Sequence, residues 1–359
     1  MKNNIYLFSN TILSRRDNSF YLESFPKSEP VHQVDFCEEE LSNVILPGQN
    51  PEGTGNAKHI PAESVEAFYS FGEIRFNSQF LKCLNLYQVP LHSFNYYGNY
   101  LGSFIPANSD GSGEVQLLQF EAYSNQSKRL YIAKAITTTA IKNILAILKT
   151  YAYQGADIEE DISKINSILD SARFASSVNE LLGFEGLARN IYYSSWKEIF
   201  SKDVNFVKRV KRPPDGLINS LISFGNALLY AACLSEIYRT RLNPYIGFIH
   251  ETGDNKLPLV YDLSEIFKPI IVDKIIFRVI NLNMINDDDI KHTNKGFYLK
   301  DEARKKFVSE FENRISTVIQ HKELNRRVSY RSLIRMECYK IINYLLGKIK
   351  DYEPYKSSY

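Results

Sequence analysis

The chain is poor in the residues that staple a small protein or bind soft metals. It has four cysteines in 359 residues. Cys37, Cys83, Cys233 and Cys338 lie far apart and form no C-x-x-C pair. That spacing excludes a disulfide framework and a thiolate zinc site, and it fits a reducing cytosol. Net charge is scarce too, at +2, so any nucleic-acid surface must come from local clustering. No run of about twenty apolar residues is apparent, so no membrane-crossing helix is expected. Lys2-Asn3-Asn4 leads straight into Ile5-Tyr6-Leu7-Phe8, without the apolar centre of a secretory signal. The glycines between Pro47 and Gly55 approach a phosphate loop, but Thr54 follows Gly53 where that motif needs lysine. What remains is a cytoplasmic globular protein with 44% hydrophobic and 23% charged residues, enough for a full core and for two or three domains.

The pattern divides this α+β chain in two. Residues 1–113 read as a β-rich domain. Short strands are expected at 5–8, 11–13, 20–23 and 73–76, with helices over 62–70 and 79–87. A hairpin over 91–96 and 100–105 turns around Gly98-Asn99. Residues 28–58, with Pro30, Glu38-Glu39-Glu40 and the Pro/Gly-rich run, read as a long loop or insertion. Asn108-Ser109-Asp110-Gly111-Ser112-Gly113 is the linker. Beyond it the period changes from about two to about 3.6. Helices are expected over 116–153, 158–173, 177–199, 215–240, 259–283, 299–320 and 329–347, making 114–359 nearly all helical.

Three stretches carry chemistry. In the first, an apolar run ends on His250, a turn with Gly253 and Asp254-Asn255 follows, and an amphipathic run then carries Asp262 and Glu265. The two acids share a helix face at that spacing, and the turn can fold it toward His250. Imidazole with carboxylates suits magnesium or manganese better than a thiophilic ion; a surface histidine beside a solvated acidic face accounts for the same residues. In the second, Glu185 stands between Gly183 and Gly186 in a helical pattern. Each glycine costs about 1 kcal/mol relative to alanine, so close approach of a backbone or ligand is expected there; an ordinary helix start is the alternative. The third is Lys208-Arg209-Val210-Lys211-Arg212, four positive charges before Pro213-Pro214. It is either a solvated run or an anion-facing patch.

Taken in order, these motifs resemble the CRISPR-associated integrases, the first of the numbered CRISPR-associated protein families. Leu13 to Asn18 is similar to the family's opening hairpin, and Phe94 to Gly102 to a later hairpin of its first domain. Gly183 to Tyr192 resembles the helix with the first metal ligand, and Arg212 to Gly225 the central helix. Gly247 to Asp273 is the most specific match. Tyr330-Arg331 and Tyr352 to Tyr355 fit the family's ending.

The resemblance implies a β-rich dimerisation domain and a helical catalytic domain that binds Mg2+ or Mn2+ through Glu185, His250 and Glu265. Asp262 becomes a neighbouring acid that supports the ligands or coordinates weakly. Lys268 falls beside the scissile phosphate, with Tyr192 and Tyr261 near the site. Lys208, Arg209, Lys211 and Arg212 are the DNA-contact candidates. The implied reaction joins the 3′-hydroxyl of spacer DNA to the CRISPR repeat. The implied partners are DNA, a second copy of the chain and the small second CRISPR-associated protein, with no membrane. A metal-dependent nuclease of branched or single-stranded DNA, and a non-catalytic DNA-binding scaffold, are the other readings. The chain departs from the family pattern at Lys268, where arginine is usual, at Asn226, where an aromatic is common, and in the length of 28–58.

Overall fold

The computed structural model describes residues 2–25, 57–95, 97–107, 113–201, 204–210, 213–254, 256–293, 296–321 and 325–357. The 28–58 stretch falls outside them except for its last two residues, as do Cys37, Lys211 and Arg212. The chain forms two units, Met1–Ala107 and Asn108–Tyr359.

In the first unit, strands β1 (Asn3–Leu7), β2 (Thr11–Arg16), β3 (Ser19–Ser24), β4 (Ala57–Pro61), β5 (Val65–Ser70), β6 (Ile74–Phe76), β7 (Leu91–Phe94) and β8 (Tyr100–Phe104) surround helix α1 (Ser78–Tyr87). They make two four-stranded sheets, ordered β1-β5-β7-β8 and β4-β3-β2-β6. Leu13, Phe20, Phe68, Phe80, Leu84 and Leu91 fill the core. The expected helix over 62–70 is instead a 3-10 turn, Ala62–Ser64, followed by β5. β5 pairs in parallel with both β1 and β7; its Val-x-Ala-Phe-Tyr residues suit a strand buried on both faces, and pairing overrides the weak helical pattern.

The second unit holds α2 (Gly113–Ser124), α3 (Gln126–Tyr153), α4 (Glu159–Arg173), α5 (Val178–Ser194), α6 (Trp196–Ile199), α7 (Gly216–Tyr238), α8 (Pro258–Phe267), α9 (Lys274–Asn281), α10 (Asp301–Ser316) and α11 (Tyr330–Leu345). Two small antiparallel hairpins join them: β9 (Ile290–Thr293) with β10 (Gly296–Leu299), and β11 (Val318–His321) with β12 (Arg326–Ser329). The 116–153 pattern breaks at Asn125, whose side chain accepts from Lys128 N at 3.0 Å and caps α3. Contrary to the sequence reading, α3 and α7 are each long and apolar enough to cross a membrane, but most of each apolar window is buried inside this unit. Both are core helices.

The single helix expected over 259–283 is three segments: α8, a π-helical turn over Pro269–Asp273, and α9. Proline at the start of that turn has no N–H to give, and Asp273 N donates to Lys268 O at 3.1 Å, five residues back. α7 crosses this turn closely. A Cβ on Gly225 would lie 2.6 Å from Val272 Cγ1 and 3.0 Å from Phe307 Cζ, so only glycine fits.

Candidate active site

Four pieces of the second unit build the site: α5, the segment ending at His250, α8 with its π-helical turn, and the middle of α7. Ser177 opens α5, its hydroxyl accepting from Glu180 N at 3.2 Å. Glu185, Arg189 and Tyr192 then follow along the helix. Pro258 starts α8 in the position where its missing N–H is harmless.

Asp262 is the anchor. Its buried carboxylate accepts from the backbone N–H groups of Phe248, of Ile249 at 3.0 Å and of His250 at 3.0 Å. Its fourth contact is His250 Nδ1, at 2.8 Å. Gly247 makes this wrap possible, because a Cβ there would meet Pro258 Cβ at 2.7 Å and Asp262 Oδ2 at 2.9 Å. A carboxylate on Nδ1 fixes the imidazole's orientation and favours the tautomer that leaves Nε2 as an acceptor, the usual support for a ligating histidine. Burial works against the charged imidazole, but the Asp262 hydrogen bond and the Asp262 and Glu265 carboxylates outweigh it and raise the His250 pKa.

Glu265, buried on the same helix, is held by two cations. Arg189 Nη2 donates to its Oε2 at 2.6 Å, and Lys268 Nζ donates to its Oε1. Burial opposes ionisation, yet Lys268 and Arg189 win and hold the carboxyl at about 2. Arg189 also donates through Nε to Glu185 Oε1 at 3.0 Å, so one guanidinium joins two of the proposed ligands. Asp273, at the end of the π-helical turn, lies 3.8 Å from Arg189 Nη1. Burial pushes its carboxyl up to about 7, against the pull of Arg189. Among the described residues, no group of three His, Cys, Asp or Glu side chains is gathered as a ready metal cluster: Arg189 and Lys268 stand among the acids instead.

Tyr261 meets the His250 ring edge-on at 5.7 Å. Tyr192 is buried beside Asp273 and Arg189. Tyr230 of α7 packs on Tyr261 at 5.1 Å, with Lys268 Nζ 5.2 Å from its ring centre. Arg189, Asp273 and Tyr230 carry no functional assignment from sequence pattern alone. Arg189 was visible as the residue four beyond Glu185, hence on its face; nothing local marked Tyr230. A Cβ at Gly183 or Gly186 would meet nothing within 4 Å, so among the described residues no neighbour explains either glycine.

The basic run divides. Lys208 is exposed, while Arg209 departs from the free phosphate contact expected of it. Its Nη1 donates to Val210 O, Asn219 O and Asn219 Oδ1, and its Nη2 to Ser223 Oγ at 2.9 Å. It staples the segment before α7 onto that helix.

The family model described as CRISPR associated protein Cas1 matches residues 47–313. The chain belongs to the Cas1 family. A CRISPR-associated endonuclease Cas1 of Fusobacterium nucleatum is 38% identical over 99% of this chain and 97% of its own length. One from Moorella thermoacetica is 42% identical over 83% of this chain and 90% of its own. Among solved structures, a Cas1 protein of Thermotoga maritima is 33% identical and superposes with a TM-score of 0.81, covering 99% of this chain and all of the other. A casposase bound to integration product shares the fold, with a TM-score of 0.81 at 20% identity, covering 98% and 93% of the two chains. The α+β fold class and the Cas1 resemblance read from the sequence both hold, and the chain is a CRISPR-associated endonuclease of the Cas1 family.

Proposed function

We propose that this Cas1 chain joins the 3′-hydroxyl ends of new spacer DNA to the CRISPR repeat, using a divalent cation held by Glu185, His250 and Glu265. The observation that carries it is the His250–Asp262 pair standing beside the ionised Glu265, with Arg189 tying Glu265 to Glu185. Two carboxylates and an imidazole are a hard donor set that fits Mg2+ or Mn2+. Such an ion, when bound, would polarise a phosphoryl oxygen and make the attacking hydroxyl easier to deprotonate.

The protein's own residues do the rest. Asp262 aims His250 and keeps its Nδ1 proton in place. Lys268, a point charge where the family commonly has a forked guanidinium, neutralises Glu265 and offers positive potential to a phosphate. The reaction exchanges one phosphodiester for another. The attacking 3′-oxygen forms a bond to phosphorus and loses its proton, and the departing 3′-oxygen of the repeat gains one. No nucleotide fuel is consumed, consistent with Thr54 in place of a phosphate-loop lysine.

The first unit is assigned to pairing two copies of the chain, and 1–113 and 114–359 to the dimerisation and catalytic domains. Exposed Lys208, together with Lys211 and Arg212, is assigned to DNA phosphates. The small second CRISPR-associated protein is assigned as partner, and the cytoplasm of a prokaryote as location; a complex that includes Cas1 and Cas2 shares this fold with a TM-score of 0.79 at 17% identity.

The test is strand transfer of a labelled 3′-hydroxyl duplex into a repeat-bearing plasmid, with and without the small partner. It is run in Mn2+, Mg2+ and chelator, beside Glu185→Ala and His250→Ala. Label joined to plasmid, lost in chelator and in both variants, is expected. Nicked plasmid without joined label would make the chain a nuclease only, and activity unchanged in both variants would remove the ligand assignment.

A further inference from the structure

Three buried polar atoms beside the acids have no hydrogen-bond partner: Arg189 Nη1, Asp273 Oδ2 and Tyr192 Oη. Nη1 and Oδ2 are 3.8 Å apart, close enough for attraction and too far for a hydrogen bond. The other two guanidinium nitrogens are engaged, Nε with Glu185 and Nη2 with Glu265. One buried arginine thus faces three carboxylates and is bonded to two. Both oxygens of Glu265 are taken by cations, Arg189 on one and Lys268 on the other. An ion on Glu185 and Glu265 would share oxygens with the guanidinium, and repulsion between the ion and the two protein cations favours moving one of those cations away. Lys268 has no second carboxylate within ion-pair distance among the described residues, and it also rests against the Tyr230 ring. Arg189 has Asp273 waiting, with a vacant oxygen already on its Nη1 side.

We propose that Arg189 is a displaceable counter-ion, which holds Glu185 and Glu265 in the metal-free protein and passes to Asp273 when a divalent cation binds. The inference rests on the metal reading of Glu185, His250 and Glu265. It makes Asp273 and Arg189 positioning residues: Asp273 takes up the arginine, and Tyr192, beside both, offers its hydroxyl to the displaced pair. A shift of about 1 Å at Nη1 would turn the 3.8 Å approach into a hydrogen bond. The same shift draws Nε and Nη2 off the two ligand carboxylates, because the guanidinium is rigid and planar.

The experiment measures Mn2+ binding by titration calorimetry on the full chain without DNA, for the unaltered protein, Asp273→Asn, Arg189→Gln and the double variant. Asp273→Asn should weaken Mn2+ about tenfold or more, the scale of effect for groups supporting a metal ligand. In the Arg189→Gln background, which should bind Mn2+ more tightly, Asp273→Asn should change nothing further. Unchanged affinity in Asp273→Asn overturns the proposal. So does an equal weakening in both backgrounds, because Asp273 would then act on the ion directly. If the unaltered protein binds no Mn2+, or Glu185→Ala binds it as well, the metal reading itself fails. Asp273→Asn keeps the side-chain shape and leaves an amide oxygen able to accept from the neighbouring Tyr192 hydroxyl, so it should fold. Should Arg189→Gln not fold, the Arg189 Nε–H resonance of the unaltered protein on adding Mg2+ decides. It should shift in the unaltered protein and stay in place in Asp273→Asn; a resonance that ignores Mg2+ in a protein that binds it overturns the proposal.

Discussion

Gly186→Ala separates what the fold wants from what the reaction wants. Gly183 and Gly186 lie inside α5, on either side of Glu185, and neither has a positive φ. Glycine in a helix interior costs about 1 kcal/mol relative to alanine. A Cβ at Gly186 would meet no atom within 4 Å, so alanine adds no clash to set against that gain. The variant should therefore be more stable by about 1 kcal/mol, raising Tm by about 2–4 °C for a unit of this size. If the glycine is there because a DNA strand passes close to Glu185, the same methyl should lower strand transfer while leaving Mn2+ affinity alone. Thermal denaturation and the plasmid-joining assay, run on one preparation, read both. A variant less stable than its parent would refute the packing argument. One that is more stable and fully active would show that nothing approaches the helix at Gly186 during the reaction.

Asn219→Ala should destabilise the second unit by about 2–4 kcal/mol, since buried groups would lose their bonds to it. Its side chain accepts from Arg209 and Val210 N and donates to Lys208 O and Asp215 O. Chemical denaturation checks this, and a loss below about 0.5 kcal/mol would mean that the 208–219 staple is ornamental. Mn2+ affinity should fall as pH drops through the raised pKa of His250, because only the neutral imidazole ligates. The metal-free fold should show the opposite sign: the charged imidazole gains from Asp262, so that contribution is full below the unfolded pKa of about 6.5 and lost as pH rises through the higher folded value. An affinity flat from about pH 5 to 8 would contradict the ligand role. Asp262→Asn should weaken Mn2+ about 10–100-fold and also lower stability, because an amide cannot accept all four of the donors that Asp262 now gathers. Unchanged binding would free His250 from its anchor.

The sequence carried the division into a strand-rich and a helical part because the hydrophobic period changes across 108–113. It also offered Glu185, His250, Asp262 and Glu265 as candidates, because those residues sit in local patterns: acids one turn apart, a glycine-flanked glutamate, a histidine ending an apolar run. What it could not carry was set by partners distant in the chain. β5 looked helical because its parallel neighbours β1 and β7 come from elsewhere. Arg209 looked like a surface charge because its acceptors, Asn219 and Ser223, lie ten and fourteen residues away on α7. The π-helical turn was hidden because Pro269 alone does not say whether a helix ends, kinks or widens. Tyr230 reached the site only through the crossing of α7 with α8, and Asp273 only through the widened turn.

The ion pairs around Glu265 also say how the protein behaves before it ever meets a metal. Many small metalloproteins are unfolded without their ion, because the liganding charges repel or lie buried without compensation. Here Arg189 and Lys268 already neutralise the buried carboxylate, so folding and loading are separate events. Chelator should empty the site without melting the helices around it. If the site takes a divalent ion, exchange of one such ion for another then becomes a matter of supply, because the folded chain does not depend on which ion is present.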